Sequence, residues 1–189
     1  MLQANERAEI ARLWARKTQQ DEQRLPQAAR HRNLEPDSAE FIAALAAGIK
    51  AKRLLEIGGS SGISTIALAS AARETGGRLT SIEIEPVRQT EARDTIRRLG
   101  LEAHVEFVLA DAALILPSLK EPLDFVLIDC EKDDYIRFFD VMPVRPGAVV
   151  VADNILSHSL GDYVAHVRAR NADSLTLPIG KGLEISRIR

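Results

Sequence analysis

The stretch Leu54–Gly62, LLEIGGSSG, runs from a short apolar strand directly into a glycine turn. Gly58 follows the strand at once and Gly62 comes four residues later, so the backbone can turn tightly and a ligand can approach it closely. Outward from this turn the pattern is regular. The β-type runs RLLEI, RLTSIEI, VEFVLA, LDFVLID and AVVVAD alternate with helix-compatible runs beginning near Ser64, Val87, Ala112 and Tyr135. Strands alternating with helices predict an α/β fold, a parallel sheet covered on both faces. After a helix over Asp162–Ala169, LTLPI and LEISRIR joined by GKG predict a terminal hairpin that closes the sheet. Before the turn, Ala8, Ala11, Leu13 and Trp14 sit among charges at helical spacing and predict an amphipathic helix over Asn5–Glu22. A polar stretch, Pro26–Pro36, leads to a second helix, SAEFIAALAAGI, with Asp37 or Ser38 as N-cap. The chain reads as one domain over 1–189, an N-terminal helical extension over 1–36 and an α/β core over 37–189.

Composition narrows the function. The chain has 189 residues, 46% hydrophobic and 28% charged, which suits one compact core. A formal charge of −2 provides no general attraction to nucleic acid or to an anionic membrane, so a small substrate is expected. Cys130 is the one cysteine, which excludes an internal disulfide and suits a reducing compartment. Glu6, Arg7, Glu9 and Arg12 stand where a signal peptide would be apolar, and no run of about 18 apolar residues follows. The expected location is the cytoplasm.

In a doubly wound sheet the carboxyl ends of the parallel strands share one edge, and ligands bind there. Glu56 to Gly58, Glu83 to Glu85, Ala110 to Asp111, Asp129, and Asp153 with Asn154 occupy the five expected strand ends. A single acid at such an end is commonly a helix cap; five together point to a binding edge. The turn lacks the G-x-G-x-x-G pattern of a dinucleotide phosphate loop. Its G-x-x-x-G spacing after an acid suits a cofactor with an amino acid and a ribose but no phosphate, as in S-adenosylmethionine. Glu83 lies 21 residues beyond Gly62, where a carboxylate can accept both ribose hydroxyls. Glu85 shares its strand face, and spacing does not choose between them.

Asp129, Asp153 and Asn154 form a second group. Hard oxygen donors without His or Cys suit Mg²⁺, or Mn²⁺ or Ca²⁺, and not Zn²⁺. Three protein ligands leave positions for water and two substrate oxygens, and Lys132, three residues after Asp129, is placed to act as a base. An ordinary lysine titrates near about 10.4, so burial or a metal would have to lower it. His31, His104, His158 and His166 show no H-E-x-x-H pairing and receive no role.

These residues resemble the catechol-type, metal-dependent O-methyltransferases of the S-adenosylmethionine-dependent class, bacterial branch. The resemblance runs from about Leu34 to the C-terminus and is carried by LLEIGGSSGISTIALA, TSIEIEP, LADAALILPSL, LDFVLIDCEKDDY and PGAVVVADNIL, in family order. It implies a Rossmann-like, seven-stranded sheet of order 3-2-1-4-5-7-6 with the last strand antiparallel. It implies cofactor contacts at Leu34, Glu56, Gly58, Ser64, Glu83, Asp111, Ala112 and Asp129, which favours Glu83 over Glu85. Metal ligands then fall on Asp129, Asp153 and Asn154, the catalytic base on Lys132, and substrate contacts on Lys132, Asn154 and Glu184. Cys130 and Glu131 depart from the Ala and Asp of bacterial relatives and the His and Trp of animal ones. The stretch Ile155–Lys181 is short and lacks the aromatic residue relatives place after the Asp-Asn pair, and the chain has eight Phe, Tyr and Trp residues in all.

The expected reaction is methyl transfer to a hydroxyl of a catechol-like or other small phenol with divalent-metal assistance. One alternative keeps this chemistry with a hydroxylated uridine of tRNA as acceptor, supported by seven Lys or Arg against four Asp or Glu in the first 33 residues. The other is a non-catalytic S-adenosylmethionine-binding protein, against which the intact set Asp129, Lys132, Asp153 and Asn154 argues. The helical extension, as in relatives, implies a homodimer; no membrane partner is expected.

Overall fold

The computed structural model describes residues 2–26, 29–170 and 172–189. Gln27 and Ala28, within the polar stretch expected between the first two helices, lie outside the described residues. The elements are α1 (Ala4–Glu22), α2 (Pro36–Gly48), β1 (Arg53–Ile57), α3 (Ile63–Thr75), β2 (Arg78–Glu83), α4 (Pro86–Arg98) and β3 (Val105–Leu109). There follow α5 (Ala112–Ile115), β4 (Leu123–Ile128), α6 (Tyr135–Val141), β5 (Val144–Ala152), α7 (Gly161–Ala169), β6 (Ala172–Leu177) and β7 (Leu183–Ile188). The seven strands form one sheet in the order β3-β2-β1-β4-β5-β7-β6, as expected. β1 to β5 pair in parallel, whereas β7 runs antiparallel to both β5 and β6.

Strand alternation divides the core. Leu54, Phe125, Leu127 and Val149 face one apolar layer with α1, α2 and α3, while Leu55, Val126, Ile128 and Val150 face the other with α6 and α7. Residues two apart on a strand share a face, so each of these strands carries apolar side chains on both faces and serves both layers. The second helix begins earlier than its polar residues suggest. Pro36 occupies its first turn and Glu35 is its N-cap, because proline's fixed φ and missing N–H suit a helix start. Asp37 and Ser38 therefore lie inside the helix.

α1 docks on the body through apolar burial and one buried charge. Ile10 and Leu13 are buried in the core layer that includes α2 and α3. Glu6 is fully buried, accepts from the Gln3 backbone N–H at 2.7 Å and pairs with Arg73 of α3. Burial pushes the Glu6 carboxyl up, but the Arg73 hydrogen bond and charge and the Gln3 N–H outweigh it, so its pKa is lowered. A carboxylate with a depressed folded pKa adds stability above its unfolded pKa, and that contribution is lost as pH falls. Removing one partner of a buried pair leaves an uncompensated charge, costing about 3 kcal/mol. Arg73→Met is therefore expected to lower unfolding free energy by about that amount at pH 7. Urea titrations should show the deficit shrinking as pH falls below about 4.5 and on through the lowered folded pKa of Glu6, beneath which the carboxyl is protonated in both states.

Candidate active site

The site lies where β1, β2, β4 and β5 end. The parallel ladder continues one residue past each strand: Gly58 N–H donates to Ile82 O at 2.9 Å, Asp129 N–H to Ile57 O at 2.9 Å, and Asp153 N–H to Ile128 O at 3.1 Å. These bonds bring the strand ends to one edge. Gly58 has φ +92°, and a Cβ there would stand 2.2 Å from the Asp129 carbonyl oxygen, so the β1 turn can touch the end of β4 only as glycine.

Two cavities open from this edge. The first, about 120 Å³, is lined by Gly58, Ser60, Glu83, Asp111, Ala112 and Asp129, with Cys130 and Phe138 among its other walls. Glu83 is buried; its Oε2 accepts from the Ser60 N–H at 2.8 Å and its Oε1 from the N–H groups of Ile84 and Glu85 at 2.9 Å. Three backbone donors fix this carboxylate at the cavity wall, while Glu85 is exposed as the N-cap of α4. Asp111 caps α5 by accepting from the Ala113 N–H at 2.8 Å. Burial, and then the charge of Asp129, push the Cys130 thiol up to about 12, so it stands in the wall as a neutral group.

The second cavity, about 270 Å³, shares Asp129 and Arg32 with the first. Its floor includes Lys132 and Asn154. Asn154 adopts φ +67°, a left-handed conformation asparagine tolerates, and this turn ends β5. Its Nδ2 donates to Asp129 Oδ1 at 2.8 Å and to Asp153 Oδ2 at 2.7 Å. Lys132 Nζ donates to Asp129 Oδ1 at 3.3 Å and to the Tyr135 hydroxyl at 2.7 Å, and that hydroxyl donates to the Asp153 carbonyl at 3.2 Å. Burial raises the Tyr135 pKa well above its ordinary value, keeping it a neutral donor.

The two acids are held in an unfavourable state. Burial and the neighbouring Asp129 charge push Asp153 up to about 8, and burial raises Asp129 against the opposing pull of Lys132. Asp153 Oδ1 is buried without a hydrogen-bond partner. An orphaned carboxylate oxygen beside a second acid and an amide fits a hard divalent cation, which would take up the excess charge. Among the described residues no group of three His, Cys, Asp or Glu could hold a metal ion, so a cation here would need the Asn154 amide beside the two acids. A half-turn of the Asn154 amide would present Oδ1 in place of Nδ2.

Other expected site residues lie elsewhere. Leu34 is buried in the core. Glu56 is fully buried beneath the glycine turn, where its Oε2 accepts from the hydroxyls of Thr65 and Ser81 at 2.7 and 2.5 Å and its Oε1 has no partner. Ser64, buried in the first turn of α3, offsets part of the rise that burial causes in the pKa of the same carboxylate. None of the three lines either cavity; they support the turn from below. Glu184 is not brought to the site. It is fully buried and accepts from Arg168 at 3.0 Å and from Ser174 at 2.5 Å, with Thr176 also bonded, so both oxygens are taken.

Sequence reasoning missed the contribution of the extension. Arg32 lines both cavities, pairs with Glu131 and donates its N–H to Ser60 Oγ at 3.1 Å. Lys17, Arg30 and His31 also line the second cavity. No spacing marks them. Tyr135 did have a signal, since it follows Lys132 by three residues and opens α6.

The family model described as O-methyltransferase matches residues 7–178. The chain belongs to the O-methyltransferase family. Among relatives of this O-methyltransferase-family chain, the catechol O-methyltransferase of Niastella koreensis is 35% identical over 130 residues, 66% of this chain and 58% of that protein. That of Mycobacterium tuberculosis is 38% identical over 120 residues, 62% of this chain and 54% of that protein. The matched stretches thus span little more than half the length of these relatives. The solved O-methyltransferase TomG of Streptomyces achromogenes, in complex with SAM, superposes with a TM-score of 0.75 at 28% identity, covering 93% of this chain and 88% of that one.

The raised Asp153 pKa has a measurable consequence. In chelator, the folded protein retains a proton on Asp153 that the unfolded chain loses near pH 4, so stability falls as pH rises from about 4 through about 8. Thermal melts in chelator should show this decline, and Asp153→Asn should flatten it and raise stability at pH 8 by about 1–2 kcal/mol.

Proposed function

We propose that this protein is an S-adenosylmethionine-dependent O-methyltransferase acting on a hydroxyl of a small catechol-like phenol with divalent-metal assistance. The observation that carries the reading is the position of Asp129: it lies on both cavities, with Lys132, Asp153 and Asn154 around it. A donor on one side and an acceptor on the other would meet at this group. The names of the relatives, catechol O-methyltransferases and a SAM-bound O-methyltransferase, support the same assignment.

When bound, S-adenosylmethionine would supply a methyl group on a cationic sulfur, so that a C–O bond to the acceptor forms in line as the C–S bond breaks and S-adenosylhomocysteine leaves. Glu83 is suited to take the ribose hydroxyls, and the Gly58 backbone lets the ligand lie close to the sheet edge. A divalent cation, Mg²⁺ by the chemistry of the donors, would be held by Asp129, Asp153 and Asn154 and would lower the pKa of a bound hydroxyl. Lys132 Nζ accepts the hydroxyl proton when it is neutral. Tyr135 holds that Nζ at 2.7 Å and ties it to the Asp153 backbone, so base and acids move as one unit. Positioning supplies much of the acceleration because the methyl donor is already reactive.

The test is transfer of a labelled methyl group from S-adenosylmethionine to catechol. Lys132→Met is expected to lower kcat by roughly 10²- to 10⁴-fold, the usual contribution of a general base, with cofactor affinity by calorimetry unchanged. Chelator should suppress turnover and Mg²⁺ restore it in the wild type. Turnover that is indifferent to chelator and to Asp153→Ala would remove the metal from the reading.

A further inference from the structure

Arg32 stands where the two cavities meet, yet methyl transfer as described makes no use of it. Its backbone N–H donates to Ser60 Oγ at 3.1 Å, which pins its main chain to the glycine turn. Its guanidinium pairs with Glu131, two residues past Asp129 and itself in the wall of the first cavity. The pair joins the irregular segment before α2 to the segment after β4. The Glu131 side chain is 69% exposed, against 32% for Arg32. An ion pair with so exposed a partner contributes little net stability and gives way easily to another carboxylate.

The strand order fixes how a nucleoside joined to an amino acid would lie. Along the edge come Asp111 after β3, Glu83 ending β2, the Gly58 to Ser60 turn after β1, and Asp129 to Glu131 after β4. With the ribose on Glu83, the sulfur must face the second cavity, where Lys132 and Asn154 stand, so the amino-acid end points to β1 and β4 and the base to β3. That end carries an α-ammonium and an α-carboxylate. Asp129 and Asp134 in the wall suit the ammonium. The carboxylate needs a cation, and Arg32 presents one at this end; Arg88, also in the wall, belongs to α4 and follows the end of β2. The cavity nevertheless encloses about 120 Å³, less than the roughly 300 Å³ at the lower end of small-molecule pockets. Part of the wall must give way to such a ligand.

We propose that Arg32 binds the α-carboxylate of S-adenosylmethionine and that Glu131 is the internal stand-in for it: the incoming carboxylate displaces Glu131 from the guanidinium, and Glu131 moves out into solvent. The inference rests on the methyltransferase reading above and adds the residue pair that admits its methyl donor. Both carboxylates make the same charge-assisted contact with a guanidinium, so the exchange keeps the ion pair while it opens the amino-acid end of the cavity. The long, exposed Glu131 side chain can leave without exposing apolar surface, whereas the buried Glu83, held by three backbone N–H groups, cannot. S-adenosylhomocysteine keeps the same carboxylate, so it reports on the exchange without turnover.

The experiment compares, by calorimetry, S-adenosylhomocysteine with 5′-S-(3-aminopropyl)-5′-thioadenosine, which keeps the base, ribose, sulfur and ammonium and lacks only the carboxylate. The wild type is expected to bind S-adenosylhomocysteine about tenfold or more tighter, the contribution of one charge-assisted hydrogen bond. In Arg32→Gln that ratio should fall toward one through loss of S-adenosylhomocysteine affinity, with the decarboxylated ligand unchanged. In Glu131→Ala the stand-in is gone, and S-adenosylhomocysteine should bind about threefold or more tighter. The same Glu131→Ala change made on Arg32→Gln should alter its affinity by less than about twofold, because the two residues act through one contact. Each ratio is taken on one preparation, so a loss of folded protein does not move it. A ratio unchanged in Arg32→Gln, an equal loss of both ligands there, or weaker S-adenosylhomocysteine binding in Glu131→Ala would overturn the proposal. So would collapse of the ratio in Arg88→Gln in place of Arg32→Gln. Absence of S-adenosylhomocysteine binding by the wild type would overturn the cofactor reading and the proposal with it. Arg32-dependent binding without methylation of any acceptor would uphold the exchange and overturn the methyltransferase reading instead.

Discussion

The contact between the β1 turn and the end of β4 governs the geometry of everything around it. At position 58 a side chain would drive its Cβ into the Asp129 carbonyl, so the two strand ends meet only through a glycine. Once they meet, the Asp129 N–H bonds to the Ile57 carbonyl, and the Asp129 side chain is fixed at the boundary between the two cavities. The same turn places the Ser60 N–H on Glu83, which fixes the carboxylate of the neighbouring strand end. A single steric allowance thus sets the positions of groups on three strands.

That arrangement concentrates negative charge where burial disfavors it. Asp129 and Asp153 share one amide donor, Asn154, and the side-chain cation in contact with Asp129 is Lys132. Asp153 retains an oxygen that no protein group satisfies. A protein selected for stability alone would be expected to fill such a position with an apolar or fully bonded residue. The surrounding structure compensates with apolar packing: Tyr135 and Tyr163 meet edge to face at 5.5 Å beneath the acids, and Ile128, Val150 and Ala152 are buried around them. Stability supplied by the layer below allows the strained group above to persist.

How far the amino-acid sequence reveals this depends on the kind of residue. Strands β1 to β5 are readable because apolar runs of five or six residues, punctuated by glycine or acid, recur with helix-compatible segments between them. Asp129, Asp153 and Asn154 are readable as a group because parallel strands end on one edge. Glu56 illustrates what strand alternation can show. It shares a face with Leu54, and Leu54 packs toward α3, so period-two alternation alone sends its carboxylate beneath the turn and away from the cavities. Glu184 fails for a tertiary reason: Arg168, Ser174 and Thr176 come from two other elements, and no local pattern shows that they will saturate its oxygens. Arg30, His31 and Arg32 sit in an irregular segment without periodicity, and tertiary contacts bring them to the site: Arg30 to Asp21 and the His31 N–H to Gln20 of α1, and the Arg32 N–H to Ser60 of the glycine turn.

This makes α1 part of the site and not an appendage, and its attachment determines how durable the second cavity is. Exposed pairs such as Arg7 with Glu40 and Arg16 with Glu91 contribute at most about 1 kcal/mol each and weaken when salt shortens the Debye length below about 8 Å. Burial of Ile10 and Leu13 contributes roughly 1.5–3 kcal/mol each and is not screened. The Glu6–Arg73 pair is shielded from solvent on the carboxylate side, so it too resists screening. Arg30 and His31 are tied to the end of this helix by polar contacts, Arg30 to Asp21 at 3.0 Å and the His31 N–H to Gln20 at 2.8 Å, so their place depends on where apolar burial seats α1. Salt therefore weakens the exposed pairs of α1 and leaves its buried attachment in place.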